Sequence, residues 1–350
     1  MQTSLTLCLW HLYPNGFSSH LFWILDTTFV EKPYAEKIDE VQFWHRTKQV
    51  AGRAKKLKGH CYLFASHIYT YSQDSLLASV LIGVLLIGKG KSQFAAVREL
   101  LELLPLPKEV KNVWIVDRGL MSGKLVKQVL RKKQDALGRV KCNKVVYFAP
   151  VRQRRGKGRK KIFGAKSRVD KLVKRFEKRL RFQEMELKVG AKERMGKVWD
   201  AEIFLRGIEK GEAVNGRIII VEVPMSEMKP LYLLTSELDV EVVSAIKSYS
   251  GRSQIEVNFD EIKELGLSSY KGRNSKGITR WGLFLCLTSS CLKLSSTKHL
   301  TVNLPLLNWS WYKRENTVEQ VRRCLVEFCR PRISRKLSVK ENVQEIKKAA

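Results

Sequence analysis

Apolar residues along this chain gather in short unbroken runs, and such runs predict strands buried on both faces of a sheet. Residues 21–25 are apolar throughout and run into Asp26, with Thr27, Thr28, Phe29 and Val30 behind it, which predicts a strand that closes on an acid. A mostly polar stretch over 31–58 separates this run from two more apolar, β-branched ones at 61–71 and 76–87, read as further strands. Residues 93–104 change period: Phe94, Val97, Leu101 and Leu104 fall at helical spacing, and Pro105 and Pro107 stop the helix they predict. Residues 113–116 then repeat the first pattern, an apolar run ending in Asp117-Arg118-Gly119. Ser122 is placed to cap a helix over about 123–137, and another strand is predicted over 144–149. Strands alternating with helices point to a mixed α/β sheet.

The pattern then breaks. Residues 152–182 hold 15 Lys and Arg against 2 acids. Their first part, to Lys161, has no apolar residue and reads as a basic loop; in the second part Val169, Val173, Phe176 and Leu180 make one stripe of a basic amphipathic helix. Strand patterns return at 198–205, 217–223 and 230–235, followed by a helical region over about 239–267, a second apolar helix over 281–294, and a helix over about 315–329 with a basic tail. The sheet is thus expected to be interrupted by an insertion.

Composition adds a partner class. With 65 Lys and Arg against 34 Asp and Glu, the 350-residue chain carries a formal charge of +31, and 44% apolar content supplies a real core. A polyanion is the economical partner, and nucleic acid, an anionic membrane surface or an acidic protein would each satisfy it. Seven cysteines with no C-x-x-C pair argue against a disulfide framework and a usual zinc site; Cys286/Cys291 and Cys324/Cys329 are read as packing residues. The longest apolar run, 76–88, is shorter than the roughly 20 residues that a membrane helix needs. No membrane span and no secretory leader are expected, and a cytoplasmic location is.

The densest chemical signal is YSGRSQIEVNFDEIK at 249–263. On a helix, Tyr249, Arg252, Glu256 and Lys263 fall within roughly 60° of one another, beside an apolar stripe of Ile255, Phe259 and Ile262. From the helix alone, a solvated face with ion pairs such as Arg252 with Glu256 is an adequate reading. The spacing Tyr, two residues, Arg, three, Glu, six, Lys resembles, without a gap, the Y-(2)-R-(3)-E-(6)-K signature of a large family of bacterial insertion-sequence DDE transposases. ILDTT around Asp26 and IVDRGLMSG around Asp117 resemble that family's first two catalytic blocks, in the family's order, so that the similarity covers roughly 21–300.

The resemblance implies a ribonuclease H-like fold: an α/β mixed sheet flanked by helices and interrupted by a mainly β insertion. Its expected organisation is an N-terminal remnant (1–20), a catalytic core (21–150 and 239–300), an inserted basic and β region (151–238), and a C-terminal helix with a basic tail (301–350). Asp26, Asp117 and Glu256 would be the catalytic triad and the ligands of two Mg²⁺ ions, with Mn²⁺ as substitute, about 3.5–4 Å apart, because three converging carboxylates repel one another without cations. Tyr249, Arg252 and Lys263 would contact DNA near the active centre, and Arg154, Arg155, Lys160 and Lys161 would add salt-sensitive affinity for duplex DNA. Trp199 has two readings, a stacking platform for a flipped base or a core residue. The implied function is phosphodiester hydrolysis and strand transfer at transposon ends, by a homodimer, at the nucleoid of a bacterial or archaeal cell.

Family members carry a helical end-binding region ahead of the first acid, whereas 25 residues precede Asp26 here, with a turn signal at Pro14-Asn15-Gly16. A truncated, catalytically idle DNA-binding remnant that regulates a full-length transposase is therefore the alternative expectation. Thr27 and Thr28 also depart from the acid more usual after the first Asp.

Overall fold

The computed structural model describes residues 19–35, 37–45, 56–70, 77–150, 162–189, 192–206, 213–224 and 229–297. The expected loop cations Arg154, Arg155, Lys160 and Lys161, the helix near 315–329 and the first 18 residues lie outside them. Among the described residues, twelve strands form one sheet. Strand β1 (His20–Glu31) pairs antiparallel with β3 (Lys56–Thr70), which pairs with β2 (Gln42–His45) at its start and β4 (Leu77–Ile87) along the rest. On its other side β1 runs parallel to β5 (Lys111–Val116), and β5 parallel to β6 (Asp135–Arg139).

The sheet does not stop there. Strand β7 (Val145–Tyr147) falls on the strand predicted over 144–149; the predicted insertion then supplies β8 (Lys166–Arg168), β9 (Arg181–Val189), β10 (Lys192–Arg206), β11 (Ala213–Glu222) and β12 (Leu231–Thr235), and β12 pairs antiparallel with β6. Helices cover both faces. Helices α1 (Gln93–Leu103) and α2 (Gly123–Leu130) pack on one, and α4 (Val242–Ser250), α5 (Gln254–Ile262) and α6 (Ser275–Thr297) on the other; the short α3 (Leu172–Phe176) lies in the insertion. Alternate residues of each strand feed the two cores: Trp23 and Leu25 of β1, with Trp114 and Val116 of β5, join α1 and α2, while Ile24, Val30, Val113 and Ile115 join α4, α5 and α6. Burial on both faces is why these strands read as continuous apolar runs. The layering and the sheet are those of a ribonuclease H-like fold with a mainly β insertion.

Three expectations need correction. β1 does not end at Asp26; it continues to Glu31, because β3 pairs with it across the whole of Trp23–Glu31. The helix predicted over 123–137 stops at Leu130, Lys133 takes a left-handed conformation (φ 57°), and Ala136 and Leu137 become the buried centre of β6. The basic amphipathic helix is broken into a 3₁₀ turn (Val169–Lys171), α3 and a second 3₁₀ turn (Glu177–Arg179), since Arg181 and Phe182 are taken up by pairing with Asp200 and Trp199 of β10. Its apolar stripe still points inward, Val169 and Leu180 buried and Val173 and Phe176 packed against the core. Sheet pairing here overrides local periodicity.

Candidate active site

The strand register brings the first two acids together. Leu25 of β1 lies opposite Val116, the last residue of β5, so the next step along the parallel pair sets Asp26 beside Asp117, about 5 Å away in strand spacing. β1 continues here on its β3 side while β5 gives way to a turn, in which the Asp117 carbonyl accepts from the Leu120 and Met121 N–H groups at 3.0 Å each. The result is a notch at the carboxyl end of the parallel strands, where α/β sheets commonly bind ligands. Gly138 makes room for it: β6 sets this residue opposite Val116, and a Cβ there would stand 2.8 Å from the Val116 carbonyl oxygen.

Alternation decides which way Asp26 faces. Ile24 and Val30 belong to the core under α4–α6, and Asp26, two residues from Ile24, shares their face. The third acid comes from that layer. Its helical segment changes winding three times: α4 gives way to a 3₁₀ turn (Gly251–Ser253), then α5, then a π turn (Lys263–Leu267) broken inside by Gly266 at φ 107°. Tyr249, Arg252, Glu256 and Lys263 fall one on each of these four pieces, and such mid-helix departures commonly mark functional sites. Ile255, Phe259 and Ile262 anchor α5 as the apolar stripe predicts.

Arg252 closes the constellation. Its Nη1 donates to Asp26 Oδ2 at 2.8 Å and its Nη2 to Glu256 Oε1 at 3.3 Å, joining β1 to the helical layer across 226 residues of sequence. The Thr27 N–H donates to the other Asp26 oxygen at 2.7 Å. Burial pushes the Asp26 carboxyl up to about 6; the Thr27 bond and the Arg252 charge hold it down in part, and the negative charges of Asp117 and Glu256 raise it. The same neighbours act on Arg252: burial opposes its charge, but Asp26, Tyr249, Asp117 and Glu256 together lift its pKa above the usual value. Tyr249 is raised by burial and by Asp117, against the pull of Arg252 and of Arg139 at the end of β6. Three acids, one tyrosine and Arg252 therefore occupy one electrostatic neighbourhood. Glu256 is the exposed member, its side chain 63% accessible against 19% for Asp26.

Not every predicted residue joins this group. Lys263 lies 3.9 Å from Asp260, one helical turn away, rather than at the acids. Trp199 is 6% exposed and packs on Phe182 with ring centroids 5.3 Å apart, so the core reading fits it as it stands. Arg139 was not anticipated; its only signal is a basic residue closing a strand beside β5.

The donor set is all carboxylate oxygen, which suits a hard divalent cation such as Mg²⁺ or Mn²⁺ and not zinc or copper. Among the described residues no three His, Cys, Asp or Glu side chains stand close enough together to hold a metal ion; Arg252 fills the space between Asp26 and Glu256. A buried carboxylate whose pKa is raised and whose counter-charge is a guanidinium is chemically suited to exchange that guanidinium for a metal ion.

The mixed sheet, its two helical layers and the acids beside its parallel strand ends place the chain in the ribonuclease H-like class of α/β proteins. More particularly, the family model described as the transposase DDE domain matches residues 20–291, and the chain belongs to that family. A search of curated proteins found no match to the chain. The family's work is transposition of DNA, and its members generally use divalent metals.

Proposed function

We propose that this chain is the catalytic core of an insertion-sequence transposase of the Y-(2)-R-(3)-E-(6)-K group, with Asp26, Asp117 and Glu256 as catalytic residues and metal ligands. Bound there, two Mg²⁺ ions would supply an activated water or 3′-hydroxyl and stabilise the leaving oxygen of the phosphodiester. The protein's own part is positional. Asp26 and Asp117 are fixed by strand register, Glu256 swings in from the exposed face of α5, and Arg252 passes from the carboxylates to the DNA phosphate, for which its planar fork is suited. Tyr249 and Lys263 flank the same path, and a homodimer would hold paired transposon ends at the nucleoid. The observation that carries this reading is the bridge from Asp26 through Arg252 to Glu256.

A Mg²⁺-dependent cleavage assay on transposon-end duplexes tests it. Glu256→Gln is expected to cut at least about 1000-fold more slowly, some 4 kcal/mol of lost transition-state stabilisation, with duplex binding in metal-free buffer retained. Cleavage equal to the parent's would remove Glu256 from the triad.

A second reading is a catalytically idle DNA-binding form that regulates an active transposase. It is favoured by the same guanidinium, which as it stands occupies the place between the acids. Salt-dependent DNA binding with no cleavage in either Mg²⁺ or Mn²⁺ would select it.

A further inference from the structure

Two rails lead away from the acids. From Asp26, β1 runs five residues to Glu31, about 17 Å at strand rise. From Glu256, the helical segment runs twelve residues to Ser268, about 18 Å at helical rise. Arg252 joins the two at one end. At the other, the Lys32 ammonium donates to the carbonyls of Ser268 (2.5 Å) and Tyr270 (3.0 Å). A second clasp lies beside it: the Asp39 N–H donates to the Arg273 carbonyl at 2.9 Å, and the Asp39 carboxylate accepts from the Ser275 N–H at 2.9 Å.

Between these clasped loops is a cavity of about 790 Å³, walled by Tyr34, Lys37, Tyr270, Lys271 and Arg273, with Glu31 as the one acid among the described residues that line it. The cations on its rim are uncommitted: Lys37, Lys271 and Arg273 are exposed and have no ion pair among the described residues. Tyr34 is 94% exposed, a ring presented to solvent, and Tyr270 is backed by Trp281 in a stacked pair at 5.6 Å. Exposed cations with no ion pair among the described residues, beside the exposed Tyr34 ring, are the surface chemistry that grips a sugar–phosphate backbone. The walls are set in advance by Lys32 and Asp39, so little ordering cost is left for binding.

We propose that this cavity is a second DNA-backbone site, gripping the duplex about 17 Å from the acids. At 3.4 Å per base pair along each strand, that is about five base pairs from the phosphodiester to be cut. The proposal rests on the transposase reading above and assigns the loop that follows Leu267, with its Lys271 and Arg273, a role.

The test uses the full chain, a 30-base-pair duplex and metal-free buffer, reading affinity against salt. Lys37→Ala/Lys271→Ala/Arg273→Ala is compared with a charge-matched control, Lys108→Ala/Lys132→Ala/Lys133→Ala, whose exposed side chains lie toward the opposite end of the β5 and β6 strands. The cavity variant is expected to melt like the parent, to bind about 10- to 100-fold more weakly at 0.1 M salt, and to lose about 2–3 from the slope of log K against log salt, while the control keeps most of both. Equal losses in the two variants, or none in the cavity variant, overturn the site while leaving the transposase reading in place. If millimolar inorganic phosphate displaces the duplex from the parent, the cavity is a small-anion site and the backbone assignment falls. A parent that shows no salt-dependent DNA binding would sink the transposase reading, and the cavity with it.

Discussion

Asp26 is held where a carboxylate is poorly solvated, and that has a measurable sign. Its folded-state pKa of about 6 stands above the ordinary 3.8, burial being the largest cause. Below about pH 4 both folded and unfolded chains carry the proton and no penalty arises. As pH rises to 6 the unfolded chain ionises first, so stability from this group is lost, by about 3 kcal/mol for a pKa raised this far. Asp26→Asn is therefore expected to be more stable than the parent by roughly 1–3 kcal/mol at pH 7.5 without divalent ions, with the gap closing below pH 4, as read from denaturant melts. A less stable variant at pH 7.5 would contradict the burial argument. Buried His67 acts oppositely: burial pushes its pKa down to about 4, so the stability it gives above pH 6.5 is lost toward pH 4, and this acid loss should be unmasked once Asp26 is neutralised. Arg252 adds a second expectation. If its guanidinium stands where a metal ion would, Arg252→Gln should bind Mn²⁺ several-fold more tightly than the parent in a direct spin-resonance titration, even as DNA affinity falls; weaker Mn²⁺ binding would mean that the arginine organises the acids for metal instead of competing with it.

At the scale of elements, the piece that matters most is α5, because it carries Glu256. Its apolar stripe packs inward, but the helix is also pinned by a polar cluster: buried Lys293 of α6 pairs with Glu261 at 3.0 Å and donates to the Ser79 carbonyl at 3.1 Å and to Asn258, whose amide donates to the Ser79 hydroxyl at 2.8 Å. Burial pushes Glu261 up and Lys293 down, each against the pull of the other. Lys293→Met should cost about 3–5 kcal/mol because Glu261 stays buried without its partner, and the further change Glu261→Leu should restore much of it. Chemical denaturation of the single and double variants checks this. None of the cluster was legible in advance, since a lysine on an apolar helix gives no hint of a partner more than thirty residues away. What was legible follows the same logic. Ile255, Phe259 and Ile262 were readable because burial on a helix leaves a period, and the runs ending near Asp26 and Asp117 because strands covered on both faces leave unbroken apolar stretches. The limits of β1, α2 and the basic helix were not readable, because each is set by a pairing partner distant in sequence.

For the molecule as a whole, the inserted strands are an interruption in sequence but not an appendage in space. β12 hydrogen-bonds to β6, Ile219 and Leu233 join the core under α4–α6, and Ile218 and Ile220 join the opposite one. One buried charge cluster ties this region to the helical layer that bears the site. Asp200 of β10, 2% exposed, accepts from Arg217 of β11 at 2.8 Å and from Arg181 of β9 at 2.7 Å, and Arg217 also donates to the Val240 carbonyl at 2.9 Å, just ahead of α4. Arg217 is thus the joint between the insertion and the segment that delivers Arg252 and Glu256. Among the described residues, Arg217→Met would leave Asp200 with Arg181 as its one cationic partner, whose side chain is 64% exposed, and would remove the Arg217 bond to the Val240 carbonyl. Breaking one partner of a buried pair costs about 3–5 kcal/mol. If the joint also places the site, hydrogen exchange of the Val242–Ser250 amides should quicken more than that of β1 and β3, and cleavage should fall by more than the unfolded fraction explains. Uniform acceleration across the sheet, with cleavage tracking the folded fraction, would show Arg217 stabilising the fold as a whole without positioning the acids.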